Sequence, residues 1–156
     1  MRILTSIGLA IIGLSIISPS FAAKDPNLGL IAARQGEMQL RSLNAGPLFG
    51  MVKGQVEYNS ELASTLASNL LTLTKLNMGR AWKKGTDNEA YPDDTTALPK
   101  IWSADSKIGE KGKAFKKAVE ELAMVAGNGL DAMKPKVSAL GKSCKGCHDD
   151  YRPKKK

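Results

Sequence analysis

The most regular pattern lies toward the C-terminus, where Leu130, Met133, Val137, Leu140, Cys144, Cys147 and Tyr151 recur at alternating steps of three and four. That spacing puts all of them on one face of a helix, the seam by which a helix packs into a bundle. Asp131 is a suitable N-cap, which leaves Pro135 in the first turn, where its missing N–H is harmless. A start nearer Asn128 would put Pro135 inside the helix and kink it. Upstream, Ile108, Gly112, Phe115, Val119, Leu122 and Ala126 repeat in the same manner, and Gly127-Asn128-Gly129 supplies the turn between the two helices. Leu62, Leu66, Leu70, Leu73 and Leu76 trace another helix ending near Gly79. A first helix runs from Pro26 or Asn27 through Leu28, Ile31, Gln35, Met38 and Ser42, disturbed at Gly46-Pro47. Four amphipathic helices of this size predict an all-α, antiparallel four-helix bundle. The segment from Arg80 to Lys100, with Gly85, Pro92 and Pro99, is long for a connection in a compact domain and is expected to cover something.

The N-terminal pattern is of another kind. Arg2 is followed by an apolar run from Ile3 to Ile17, then by Ser18-Pro19-Ser20-Phe21-Ala22, a break with small residues. This is the layout of a signal peptide, cleaved after Ala22 with Ala23 as the near alternative. The run falls short of the roughly 20 residues that span a bilayer. Residues 1–22 are therefore expected to direct export to the periplasm, and residues 23–156 to form one domain with a short Lys-rich tail and no membrane insertion.

Composition narrows the core and the partners. Aromatic residues make up only 5% of the chain, so the interior must be aliphatic, which suits helices. The formal charge of +8 raises the question of nucleic acid. The lysines, however, are spread along the chain as solvated helix faces, and an exported protein rarely meets DNA. A redox partner with an acidic patch is the better expectation.

Cys144-Lys145-Gly146-Cys147-His148 is C-x-x-C-H, the attachment sequence for c-type haem. On a helix the three functional side chains sit at i, i+3 and i+4 on one face. Two thiols can then add to the two porphyrin vinyl groups while His148 projects beneath the iron. These are the only cysteines and the only histidine in the chain. A disulfide would need no following histidine, and a zinc site would need about four ligands, which the chain cannot supply. One covalent haem c between the helices, with His148 as proximal ligand, is the expectation.

A four-helix bundle with this motif on its last helix resembles the cytochrome c′ family, and the resemblance covers nearly the whole chain after Ala22. Ala33-Arg34-Gln35-Gly36-Glu37-Met38 looks like the family's first-helix signature, and Gly50-Met51-Val52-Lys53-Gly54 like the end of that helix. Pro99-Lys100-Ile101-Trp102 is similar to the start of its third helix, and Gly141 through Arg152 to its C-terminal helix. The resemblance implies that Cys144 and Cys147 hold the haem and that Arg34 and Gln35 approach its propionates. It further implies that the backbone at Thr96 and Ala97 lines the haem edge with Trp102 packed nearby, and that Arg152 sits beside the His148 imidazole. A homodimer through the first two helices is also implied, with Leu43 to Val52 serving either that contact or the internal core.

Function then turns on Met38, which matches the position over the other face of the haem. A thioether there can bind iron or serve as an apolar filler. The favoured reading is a five-coordinate cytochrome c′ that cycles between Fe(III) and Fe(II) and takes NO, and weakly CO. Methionine is tolerated at that position in five-coordinate members of the family. The alternative is a six-coordinate electron carrier with His148 and Met38 as axial ligands. A haem peroxidase is disfavoured, because the one histidine is already used and Glu37 is expected on a different face of the helix from Met38.

Overall fold

The computed structural model describes residues 25–153. The expected signal segment, residues 1–22, and the last three lysines lie outside the described residues. Four helices form, α1 (Pro26–Val52), α2 (Ser60–Leu73), α3 (Ile108–Ala123) and α4 (Leu130–Tyr151), with 3₁₀ turns at Gly79–Ala81 and Pro99–Trp102. Each helix packs on its neighbour in sequence and α4 closes the ring against α1, giving the expected antiparallel bundle. Among the described residues no helix is long and apolar enough to cross a membrane.

The bundle divides into two ends. At one, Leu48, Met51, Leu70, Val119, Leu122, Met133, Val137 and Leu140 form a dry aliphatic core. Ala63 and Ala67, both fully buried, let α2 approach closely. Tyr58 ties this end shut, its hydroxyl donating to the carbonyl of Ala126 (2.9 Å) and accepting from the amide of Gly129 (2.9 Å). The other end holds the first half of α1, the segment between α2 and α3, and the last turns of α4, around a smaller cluster of Ala97, Ile101 and Tyr151 with Trp82, Trp102 and Cys147.

Several sequence expectations are corrected. α4 starts at Leu130, capped by Gly129 at φ 105°, so Asp131 is not its N-cap and Pro135 stands inside the helix. Pro135 is on the exposed side, where the carbonyl it leaves without an N–H faces solvent. α1 likewise runs unbroken through Pro47; the carbonyl freed there belongs to Leu43, on the outer face. α2 ends at Leu73, short of Gly79, and Leu62 and Leu76 are exposed. The buried face of α1 passes through Ile31, Arg34, Glu37, Asn44, Ala45, Leu48 and Met51, whereas Gln35 and Ser42 face out. Hydropathy misplaced this stripe because two of its members are charged. Pro99–Trp102 is a separate 3₁₀ turn, set off from α3 by Ser103 to Lys107.

Candidate functional site

The last turns of α4 present Cys144, Cys147 and His148 together. Both thiols are free and half-buried. Cys144 packs against the main core and Cys147 against the Ile101–Tyr151 cluster. Burial pushes both thiols above their ordinary pKa. His148 is exposed at the rim of the site. Burial, helped by the positive charge of Arg152, pushes the imidazole below its usual value. Its neutral form therefore prevails at neutral pH, leaving a nitrogen lone pair free to bind metal. The Arg152 amide also caps α4 by donating to the His148 carbonyl (3.0 Å).

Arg34 is the organising residue beside this turn. Its side chain is buried, 3% exposed, with the guanidinium 5.4 Å from the ring centroid of Trp82 and 5.9 Å from that of Trp102. It donates to the carbonyl of Ala81 (3.3 Å), the hydroxyl (2.6 Å) and carbonyl of Thr86, and the hydroxyl of Thr95 (3.1 Å). Burial lowers its pKa, with Asp87 acting in the other direction. One arginine on α1 thus holds both arms of the long connecting segment, which answers why that segment is ordered without a helix of its own. Gln35 adds an outer clasp, Nε2 donating to the carbonyl of Asp94 (2.6 Å).

The segment meets α4 through Leu98, whose amide donates to the Tyr151 carbonyl (3.1 Å), just past Thr96 and Ala97. Ala97 is buried and Thr96 exposed. Trp102 donates from Nε1 to the Trp82 carbonyl (2.8 Å). Tyr151 accepts the Lys107 amide at its hydroxyl (2.7 Å), joining α4 to the start of α3.

Met38 is half-buried on α1, one turn after Arg34 and one turn before Arg41. Glu37, next to Met38 in the chain, points inward at 5% exposure and pairs with Arg41. The Arg41 guanidinium stacks 4.4 Å from the Phe115 ring centroid. Sequence reasoning weighed Glu37 only as a distal acid and passed over Arg41, Trp82, Thr86 and Thr95. The i,i+4 acid–base spacing of Glu37 and Arg41 was the one available signal, and it usually marks a solvated pair.

A pair of free thiols at i and i+3 with an imidazole at i+4, half-buried between helices and flanked by tryptophans and a tyrosine, suits a flat prosthetic group bound covalently along one edge. Among the described residues no group of Cys, His, Asp and Glu is arranged to hold a bare metal ion.

Comparison with known proteins agrees with this chemistry. The family model described as cytochrome C′ matches residues 29–152. A cytochrome c′ from Cereibacter sphaeroides is 36% identical over 126 residues, covering 81% of this chain and 84% of that one. The solved structure of cytochrome c′ from Rhodobacter Spheriodes superposes with a TM-score of 0.79 at 36% identity, covering 83% of this chain and 98% of that one. A ferrous variant of cytochrome c′ from Alcaligenes xylosoxidans, solved with bound NO, superposes with a TM-score of 0.71 at 28% identity, covering 85% and 99%.

Proposed function

Since the chain belongs to the cytochrome c′ family, whose members carry one covalently attached haem c, we propose that it is a periplasmic monohaem cytochrome with one open axial position, working in one-electron transfer and NO binding rather than as an enzyme. The observation that carries this is the single helical turn bearing Cys144, Cys147 and His148 at the half-buried end of the bundle. Haem c supplies a redox-active iron and, with one protein ligand, a coordination position for a small gas.

In this reading Cys144 and Cys147 form the thioether links, and His148, neutral at physiological pH, is the proximal ligand held in place by Arg152. Gln35 and the backbone at Thr96 and Ala97 meet the propionate edge. Arg34 contributes its charge there and keeps the covering segment folded. Met38 faces the iron without binding it and excludes bulky ligands, which leaves NO and, more weakly, CO. Support for NO comes from the Alcaligenes relative solved with it.

Residues 1–22 act as the export signal, as haem attachment outside the cytoplasm requires. Exposed Lys100, Lys107 and Arg152 lie around the end of α4, where Lys145 is paired with Asp149, a largely basic rim suited to a redox partner with an acidic patch and not to nucleic acid. Exposed Leu40, Leu43 and Leu76 border an apolar groove with Gly36 and Met78. A second copy of the chain covers it, forming a homodimer. Ala45, Leu48 and Met51 belong to the internal core, so of the stretch Leu43 to Val52 the outward residue Leu43 serves this contact.

The test is the EPR and optical spectrum of the ferric holoprotein. A high-spin signal with NO uptake in the ferrous form is expected. A low-spin spectrum converted to high-spin by Met38→Ala would establish His148/Met38 ligation instead.

A further inference from the structure

Glu37 and Arg41 are an unusual pair to find inside a bundle of this size. Glu37 Oε1 lies 2.5 Å from Arg41 Nη2, with the carboxylate side chain 5% exposed and the guanidinium side chain 25% exposed. A carboxylate that deep is costly unless paired, and pairing is what holds the arginine in one orientation. The other side of the guanidinium lies over Phe115 on α3. Arg41 Nε is buried and has no hydrogen-bond partner. A buried N–H without an acceptor is rare in a folded interior and calls for a partner that the chain itself does not supply.

The location says which ligand. Phe115 belongs to the core that Cys144 packs against, so the guanidinium lies between α1, α3 and the turn that carries the haem. Met38 precedes Arg41 by one turn on the same helix.

We propose that Arg41, oriented by Glu37, is a ligand-selecting residue of the haem pocket, its charge and free Nε–H making the α1 side of the iron an acceptor for small monoanions in addition to neutral gases. This rests on the haem being held by Cys144, Cys147 and His148. It does not rest on Met38 leaving the iron free, because the test includes a background in which that position is opened. Selection follows from the donor: a guanidinium N–H held in a half-dry site, its charge partly offset by Glu37, stabilises an anion more than a neutral diatomic.

The probe is sodium azide, titrated into ferric holoprotein and followed at the Soret band, with CO binding to the ferrous form as the neutral control. Wild type, Arg41→Leu, Arg41→Lys and Glu37→Gln are compared, each also in a Met38→Ala background. Arg41→Leu is expected to weaken azide binding about tenfold or more and to change CO affinity by less than about threefold. Arg41→Lys retains part of the azide affinity. Glu37→Gln removes a negative charge and is expected to strengthen azide binding, opposite in sign to Arg41→Leu. A purely structural pair would move both variants in the same direction, and that result overturns the proposal. So does azide affinity in Met38→Ala that is the same with and without Arg41. If wild type takes no azide while Met38→Ala takes it in an Arg41-dependent way, the proposal stands and Met38 closes that position in the wild type, by crowding or by binding the iron, which the ferric spin state tells apart.

Discussion

Arg34 on α1 donates to both the hydroxyl and the carbonyl oxygen of Thr86, a residue 52 positions away in the chain. The same guanidinium reaches Ala81 and Thr95 and lies between Trp82 and Trp102, so it is the post around which the segment from Gly79 to Trp102 is folded. Arg34→Ala leaves several buried acceptors without donors, each costing on the order of 1–3 kcal/mol, and should destabilise the holoprotein by about 3 kcal/mol. Arg34→Lys should rescue little, since an ammonium cannot span acceptors set out for a planar fork. Urea unfolding of the two variants checks this. A loss below about 0.5 kcal/mol for Arg34→Ala, the range of ordinary surface substitutions, would contradict it.

The turn between α3 and α4 gives a second prediction. A Cβ at Gly127 would lie 2.4 Å from Ser64 Oγ, and that hydroxyl is held in place by donating to the Ser60 carbonyl (2.8 Å). Gly127→Ala forces Ser64 to rotate and give up this bond, a loss of about 1 kcal/mol. In a Ser64→Ala background the obstacle is gone, so the same substitution should cost much less. A double-mutant cycle by thermal unfolding measures the coupling. Additive losses would mean that the turn moves instead of the serine.

A third concerns pH. Tyr91 donates its hydroxyl to Asp25 (2.7 Å), and Asp25 also accepts from the Asn27 amide (2.8 Å) as the N-cap of α1. The tyrosine hydrogen bond, then the amide, hold the Asp25 carboxyl below its ordinary value, while the same carboxylate raises the Tyr91 pKa. A lowered carboxyl pKa contributes stability that is present above the unfolded value, near pH 4, and is lost as pH falls through the folded one. A raised phenol pKa contributes stability that is full below about pH 10 and lost as pH rises through the folded value. Tyr91→Phe should therefore flatten the stability profile at both ends while leaving its shape near neutrality unchanged. An unaltered acid limb in stability-versus-pH measurements would remove Tyr91 from this role.

How far the chain could be read without its structure depended on where the charges fell. The α4 seam was legible because its buried positions are apolar or cysteine, and the core residues Met133, Val137 and Leu140 lie where the spacing put them. The C-x-x-C-H turn was equally plain, since its chemistry depends on spacing within one helix. α1 was misread where it matters most. Its site half buries Arg34 and Glu37, and a hydrophobicity pattern cannot assign a charged residue to the inside unless its partner is known. Thr86 and Thr95, the partners of Arg34, come from a segment with no periodicity, and Arg41, the i,i+4 partner of Glu37, reads from sequence as half of a solvated pair. Leu62 was misassigned for a related reason: Ala63 and Ala67 set the α2 packing face, and a leucine count gives small residues no weight.

The last prediction concerns assembly. Leu43 is 69% exposed, Leu76 52% and Leu40 47%, all on the outside of α1 and just beyond α2, while the next turns of α1 are buried in the bundle. Exposed leucines this close together are uncommon in an isolated domain and are explained by a partner surface. A twofold dimer requires the same patch on both copies, so one substitution acts twice. Leu43→Glu sets two carboxylates against each other across the axis and should yield a monomer by sedimentation or light scattering. Because Leu43 is largely exposed within its own chain, the haem spectrum should be unchanged and the monomer's stability altered by no more than about 0.5 kcal/mol. Wild-type protein that sediments as a monomer, or a Leu43→Glu variant that remains dimeric, would place the contact elsewhere or nowhere.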